Sequence, residues 1–184
     1  MELAEQDGFE AVRLRDLAQK ADVALGTVYR RFSSKEDILA AALELETLKL
    51  KQMLGNTTIP GATPHERVMK FFSFATQVLV SRPKLSQAML RVVASGQPEL
   101  AEKVTRYHGM MTDIIRDALR GDEPQATRNA AREDGEHDVA LILQGVWFAA
   151  LVGWTDGLHG PEAVIIQLER AAELLLAGLD ATIG

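Results

Sequence analysis

LRDLAQKADVALGTVYRRFSSK, residues 14–35, holds two short apolar periodicities around a tight turn, followed by an aromatic and basic cluster. Leu14, Leu17, Ala18 and Ala21 recur at helical spacing. Val28 and Phe32 mark one face of a second short helix, over about Leu25 to Phe32. Asp22 stands between the two, and Asp tolerates left-handed backbone better than most residues. This is the pattern of a helix-turn-helix, whose second helix enters the major groove by its N-terminal residues. Here those are Leu25, Gly26, Thr27, Tyr29 and Arg30. Gly26 either lets backbone approach DNA closely or eases the turn into the helix. Thr27 either caps that helix or touches a phosphate or thymine methyl. Arg30 and Arg31 point about 100° apart on a helix. One can read guanine bidentately while the other holds phosphate; a solvated surface arginine is the plainer alternative for each. Arg13 and Arg15, before and within the first of the two helices, are placed for phosphate or base-edge contact.

Residues 1–7 are apolar and acidic and end at Gly8, a helix C-cap. Seven residues make a poor helix alone, so they are expected to be the tail of a longer first helix. Ser34 and Asp37 form a capping-box pattern opening a helix over Lys35 to Leu54. That helix has two apolar rows: Ile38, Ala41, Ala42, Leu45, Leu48 and Leu39, Leu43, Leu50, Leu54. A helix apolar on two sides is packed on two sides, which would couple the head to a larger body. Thr63-Pro64-His65-Glu66 combines an N-cap, a proline at N1 and an acid at N3. Pro83 and Pro98 mark further helix starts, running to about Ser95 and Arg120. Gly121 to Asp138 is polar and acidic and reads as a mobile loop. An apolar helix from Asp138 to Leu158 and a last helix opened by Gly160-Pro161 complete the chain. The expected architecture is all-α: a three-helix head with a truncated first helix, then a six-helix body. The expected domains are residues 1–50 and 51–184.

Composition narrows the function. Hydrophobic residues make up 47% and charged residues 25%, with a net charge of −6. That balance argues against indiscriminate nucleic-acid binding. Residues 13–35 nevertheless hold six cations against two acids, a local patch that suits one DNA-facing surface. Glu2, Glu5, Asp7 and Glu10 cancel it, so residues 1–35 carry no net charge. The chain has no cysteine, which excludes thiol catalysis and thiolate metal sites and suits a reducing cytosol. The apolar run Val139 to Trp154 is too short for a convincing membrane span and reads as a buried helix. His65, His108, His137 and His159 are scattered, and no phosphate loop, nucleophile elbow or HExxH pattern occurs. No catalytic residue, metal ligand or cofactor is expected.

The segment LAQKADVALGTVYRRFSSKEDIL, with nine expected helices and the reading head first, resembles the TetR family of transcriptional regulators. The shared residues are Leu17-Ala18, Ala21, Val23, Gly26-Thr27-Val28-Tyr29, Phe32 and Lys35. More distantly, ADVALGTVYRRF and VWFAALVGW resemble KstR-type repressors of sterol and lipid breakdown. The resemblance implies that Tyr29 gives its hydroxyl to a phosphate, where a packing ring is the alternative, and that Lys35 contacts phosphate. It also implies an effector pocket between helices four and eight. Met and aromatic side chains cluster in the body, and Met53, Phe71, Phe74, Met89, Met110, Met111, Trp147 and Phe148 are candidates for its wall. Gln144 is the candidate polar contact, with Gln77, Gln87 and Arg91 as further ones. One head reads too few base pairs, so a homodimer is expected through the last two helices, where Gly145, Ala149, Ala150 and Gly153 allow close approach. The expected function is a cytoplasmic repressor on double-stranded operator DNA, released by an apolar small molecule. The alternative is a dimeric helical ligand-binding protein that does not regulate DNA.

Overall fold

A computed structural model describes residues 2–55, 59–122 and 130–183. Every regular element among them is helical: α1 (Glu2–Asp7), α2 (Leu14–Lys20), α3 (Leu25–Arg31), α4 (Lys35–Gly55), α5 (Pro64–Val80), α6 (Pro83–Ala94), α7 (Ala101–Arg120), α8 (Ala130–Thr155) and α9 (Pro161–Ile183). Short 3-10 turns occupy Phe9–Ala11 and Pro98–Leu100.

Local signals set the head. α1 stops at Gly8, whose φ of +81° costs a glycine little. The α2–α3 turn places Asp22 at φ +52°, and the Val23 amide donates to the Ala18 carbonyl at 3.0 Å. Behind α2 and α3, Ala4, Val12, Leu39 and Ala40 form a small core completed by Leu85, Ala88, Val92 and Leu100 of the body. The head is therefore seated directly on α6. The Glu5 carboxylate accepts the Leu85 amide at 2.9 Å, and Lys84 Nζ donates to the Gln6 carbonyl at 2.9 Å. Glu5 thus caps the N-terminus of α6 from 80 residues away.

α4 opens with Ser34 Oγ accepting the Asp37 amide at 3.0 Å. The Asp37 carboxylate in turn accepts from the backbone and hydroxyl of Ser33 at 3.0 and 3.2 Å. Three ion pairs clasp α4 to α7: Asp37 to Lys103 at 2.8 Å, Glu44 to Arg106 at 2.6 Å, and Lys51 to Asp113 at 2.5 Å. Of its two expected rows, Leu39 and Leu43 are buried, whereas Leu45 and Leu48 are exposed. The double packing holds for only part of the helix.

In the body, Thr63 Oγ1 accepts the Glu66 amide at 3.1 Å and Glu66 accepts the Ala62 amide at 2.9 Å. The N-cap half of the capping box forms, while the return bond from Glu66 reaches one residue further back, to Ala62 instead of the Thr63 amide. Phe72, Ile114, Ile115, Leu143, Leu151, Val164 and Leu168 are fully buried between α5, α7, α8 and α9. Arg67 donates to the Ala118 and Leu119 carbonyls, each at 2.7 Å, and so caps the C-terminal end of α7.

α8 departs from expectation. It begins at Ala130, not near Asp138, so the second half of the expected polar loop is helical; residues 123–129 lie outside the described set. The reason is tertiary. Glu136 is buried and its carboxylate accepts from Arg120 Nε at 2.6 Å and from Arg132 Nε at 3.2 Å. By length and composition α8 is apolar enough to cross a membrane. Here Ala140, Leu143, Ala150 and Leu151 are sealed into the bundle core. On α9, Val164, Leu168 and Ala172 recur at helical spacing and are fully buried within the same chain. These three belong to the monomer's own core. Ala150 and Gly153 are buried likewise, with His159 packed against Gly153.

Candidate nucleic-acid interface and effector cavity

The two helices of the motif leave a polar face open. Arg13, Arg15, Gly26, Thr27, Tyr29, Arg30 and Arg31 are exposed, while Leu25 and Lys35 are partly buried. Tyr29 is 61% exposed, so its ring is free of the core and the packing alternative falls away. Gly26 has ordinary helical backbone, and a Cβ built on it meets nothing within 4 Å. The turn does not require glycine there; what its small size leaves is room outside the helix. Thr27 does not cap α3. The N-cap is Ala24 with no side-chain bond, and Thr27 Oγ1 instead accepts from Arg30 Nη2 at 3.1 Å.

The cations divide by type. Lys20 pairs with Glu2 at 2.6 Å. Lys35 Nζ donates to the Phe9 and Glu10 carbonyls at 3.1 and 3.2 Å, reaches the Glu10 carboxylate at 3.3 Å and lies over the Phe9 ring. Both lysines hold the acidic N-terminal segment onto the head. Arg13, Arg15, Arg30 and Arg31 make no ion pair among the described residues. The open charge of the head is thus arginine, whose planar fork matches phosphate and guanine.

Behind the head, α4, α5, α6, α7 and α8 enclose a cavity of about 290 Å³. Its wall includes Met53, Phe74, Met89, Met111, Gln144, Trp147 and Phe148, seven of the nine candidates from the sequence. Phe71 and Met110 lie outside it. Phe71 is buried in the core beside Phe72, their ring centroids 5.2 Å apart. On α7, Met111 faces the cavity in place of Met110. Met53, Phe74 and Val78 are exposed at the mouth, where Glu46 and Lys49 pair at 2.8 Å. Gln77 and Arg91 point to solvent, and Gln87 bonds the Thr155 carbonyl at 3.5 Å.

Among the wall residues that sequence reading missed, Tyr107 and His108 bring polar groups from α7. Burial pushes the Tyr107 phenol up to about 12 and lowers His108 from its ordinary value of 6.5. Both are neutral at physiological pH. His108 Nδ1 lies 2.6 Å from the Gln144 amide nitrogen, and Gln144 Oε1 accepts from Thr112 at 3.0 Å. On the far wall Trp147 Nε1 donates to buried Thr76 at 2.9 Å.

A helix-turn-helix with an open arginine face, joined through one long helix to a helical body around an apolar cavity, defines a ligand-responsive DNA-binding regulator. Residues 1–42 match the family described as bacterial regulatory proteins, tetR family, and residues 61–175 match the tetracyclin repressor-like C-terminal domain. The chain belongs to the TetR family of bacterial transcriptional regulators. It is 33% identical to the HTH-type transcriptional repressor KstR of Rhodococcus jostii over 174 residues, 95% of this chain and 77% of that protein. Its fold superposes on a TetR transcriptional regulator from Rhodococcus sp. RHA1 with a TM-score of 0.79 at 23% identity, covering 95% of this chain and 90% of the other. The TetR-family repressor FadR of Thermus thermophilus, solved in complex with lauroyl-CoA, gives 0.72 at 19% identity over 96% and 89%.

Proposed function

We propose that the chain is a dimeric, cytoplasmic repressor that reads double-stranded operator DNA with α3 and leaves it when an apolar small molecule fills the cavity. The observation that carries the reading is the sharing of α4. Its first turn is clasped to the head by the Ser33–Asp37 bonds, and its Leu43, Thr47, Leu50 and Met53 line the cavity. In this reading Arg30 and Arg31 take base edge and phosphate, and Arg13, Arg15 and Tyr29 take the flanking backbone. The effector is apolar, and an acyl chain is supported by the fold shared with a repressor solved with lauroyl-CoA.

Ligand acts by binding the DNA-incompetent arrangement better than the competent one. Two routes reach the head from the cavity: α4 itself, and α6, whose Met89, Leu90 and Val93 line the cavity while Leu85 is held by Glu5. The second copy docks on the outer face of the last two helices. Leu141, Ile142, Gly145, Ala149, Ile166 and Leu174 are exposed there, an apolar set with small residues for close approach.

Selection of bound duplex from a random pool, with sedimentation of the complex, tests the reading. The expected product is an inverted repeat with half-sites spaced about 34–36 Å or a multiple apart, bound by an even number of chains. Absence of enrichment over non-specific binding at physiological salt would remove the operator-reading function.

A further inference from the structure

Almost the whole wall of the cavity is apolar, which makes its few polar groups informative. Thr47 Oγ1 is used up on the Leu43 carbonyl at 2.9 Å. Glu46 and Lys49 pair with each other at the mouth, and the Tyr107 phenol stands alone among the described residues; the one connected set is His108 and Gln144 in the wall, with Thr112 behind them. Thr112 Oγ1 lies 3.0 Å from Gln144 Oε1 and 3.0 Å from the His108 carbonyl. It has one proton for the two acceptors. The His108 carbonyl already accepts the helical amide of Thr112, whereas Gln144 is buried and its Oε1 has no other donor among the described residues. The hydroxyl proton therefore belongs to Gln144 Oε1.

That choice fixes the next atoms. With Oε1 engaged by a donor, the Gln144 amide nitrogen faces His108 Nδ1 at 2.6 Å and donates to it. Nδ1 must then be the unprotonated nitrogen of a neutral ring, and Nε2 carries the proton. Nε2 has no partner among the described residues. Nε2 is not sealed from solvent, so an apolar ligand that displaces water there strands the N–H unless it brings an acceptor of its own.

We propose that this relay reads a single uncharged carbonyl oxygen, a ketone, ester or thioester, on an otherwise apolar ligand, with His108 Nε2–H as the contacting donor and Gln144 and Thr112 as positioning residues. The inference rests on the reading of this cavity as the effector site. The donor is neutral, so it favours a carbonyl dipole without demanding a carboxylate. A ligand hydroxyl would accept the same bond but leave its own proton unpaired, and an alkane would leave Nε2–H unpaired.

The test uses the full chain at neutral pH and three probes of one length: methyl undecyl ketone, its secondary alcohol and the straight-chain alkane. Binding is read from the fluorescence of Trp147 in the cavity wall. The ketone is expected to bind roughly tenfold more tightly than the alkane, the size of one net hydrogen bond, with the alcohol in between. His108→Phe should bring the ketone to the alkane's affinity. Thr112→Val keeps the shape but frees the Gln144 amide to turn over, so the preference for ketone over alcohol should vanish while alkane affinity stays. Unchanged alkane binding shows that a variant is folded, and if His108→Phe does not fold, Thr112→Val carries the test. Equal binding of all three probes, or tighter binding of the alcohol, overturns the carbonyl reading and leaves the cavity's role standing. Binding of none removes the effector-cavity reading, and the carbonyl proposal with it.

Discussion

Replacing Glu136 with alanine should unfold the body at markedly lower temperature, by stranding a buried charge. The Glu136 side chain is only 3% exposed and that of Arg120 only 12%. Truncation leaves the Arg120 guanidinium without its 2.6 Å carboxylate partner. Breaking one side of a buried pair costs about 3–5 kcal/mol. The nearest substitute acid is Glu133, 3.8 Å from Arg120 and 42% exposed. Its approach would hold the loss to the lower end, about 3 kcal/mol. For a domain of this size that corresponds to a fall in Tm of roughly 6–12 °C. Urea unfolding followed by circular dichroism measures it, with an unchanged slope showing that compactness is intact. The paired replacement Arg120→Met with Glu136→Leu removes both charges together and should recover most of the loss. A cost for Glu136→Ala below about 1 kcal/mol would mean that water reaches these charges. The account of why α8 begins at Ala130 would then be wrong.

Other expectations follow from the head and the cavity. Lys35→Ala should cost about 1–2 kcal/mol of stability and leave the salt slope of operator binding unchanged, because Nζ is spent on Phe9 and Glu10. Arg31→Ala should instead lower that slope by about 0.9, the share of a single neutralised phosphate; a Lys35→Ala slope change of that size would return Lys35 to the DNA. Thr76→Val should cost roughly 1–3 kcal/mol by orphaning the Trp147 N–H, with a shift in tryptophan emission as the companion signal. Burial raises the Asp37 carboxyl, but bonds from Lys103 and Ser33 outweigh it and hold the group below its ordinary 3.8. Its stabilisation is therefore complete above pH 3.8 and lost as pH falls through the lowered value, so Asp37→Asn should flatten that acid limb in urea titrations. His108, lowered by burial, adds a loss that begins on descending below 6.5, and His108→Phe should remove it.

The turns and helix starts were legible because their signals are local. Asp22 in the turn, Gly8 after α1, the Ser34–Asp37 cap and the Thr63–Glu66 box each act within about one helical turn, so their spacing alone carries them. What escaped depends on contacts across the chain. Residues 130–137 read as a polar loop because Glu136 meets Arg120 only after α7 and α8 fold together. Periodicity placed Phe71 and Phe74 in one helix but could not say that Phe71 faces core and Phe74 the cavity mouth. His108 was one scattered histidine until Gln144, 36 residues on, came to its Nδ1. Lys35 fitted the family pattern for phosphate contact, yet its nearest acceptors lie 25 and 26 residues earlier.

The length of α4 has a mechanical consequence. Its 21 residues make a rod of about 31 Å. A tilt of about 5°, pivoted near its C-terminal end, carries the Lys35 end through roughly 3 Å, close to the ~3.4 Å step between successive base pairs. A displacement of a fraction of an ångström at the pivot side is geared up to the pitch of the ladder the arginines must register against. Two such rods in a dimer would move the heads in opposite senses, doubling the misfit. Release then needs no melting of either domain: the effector has only to lean on the short arm of a stiff lever.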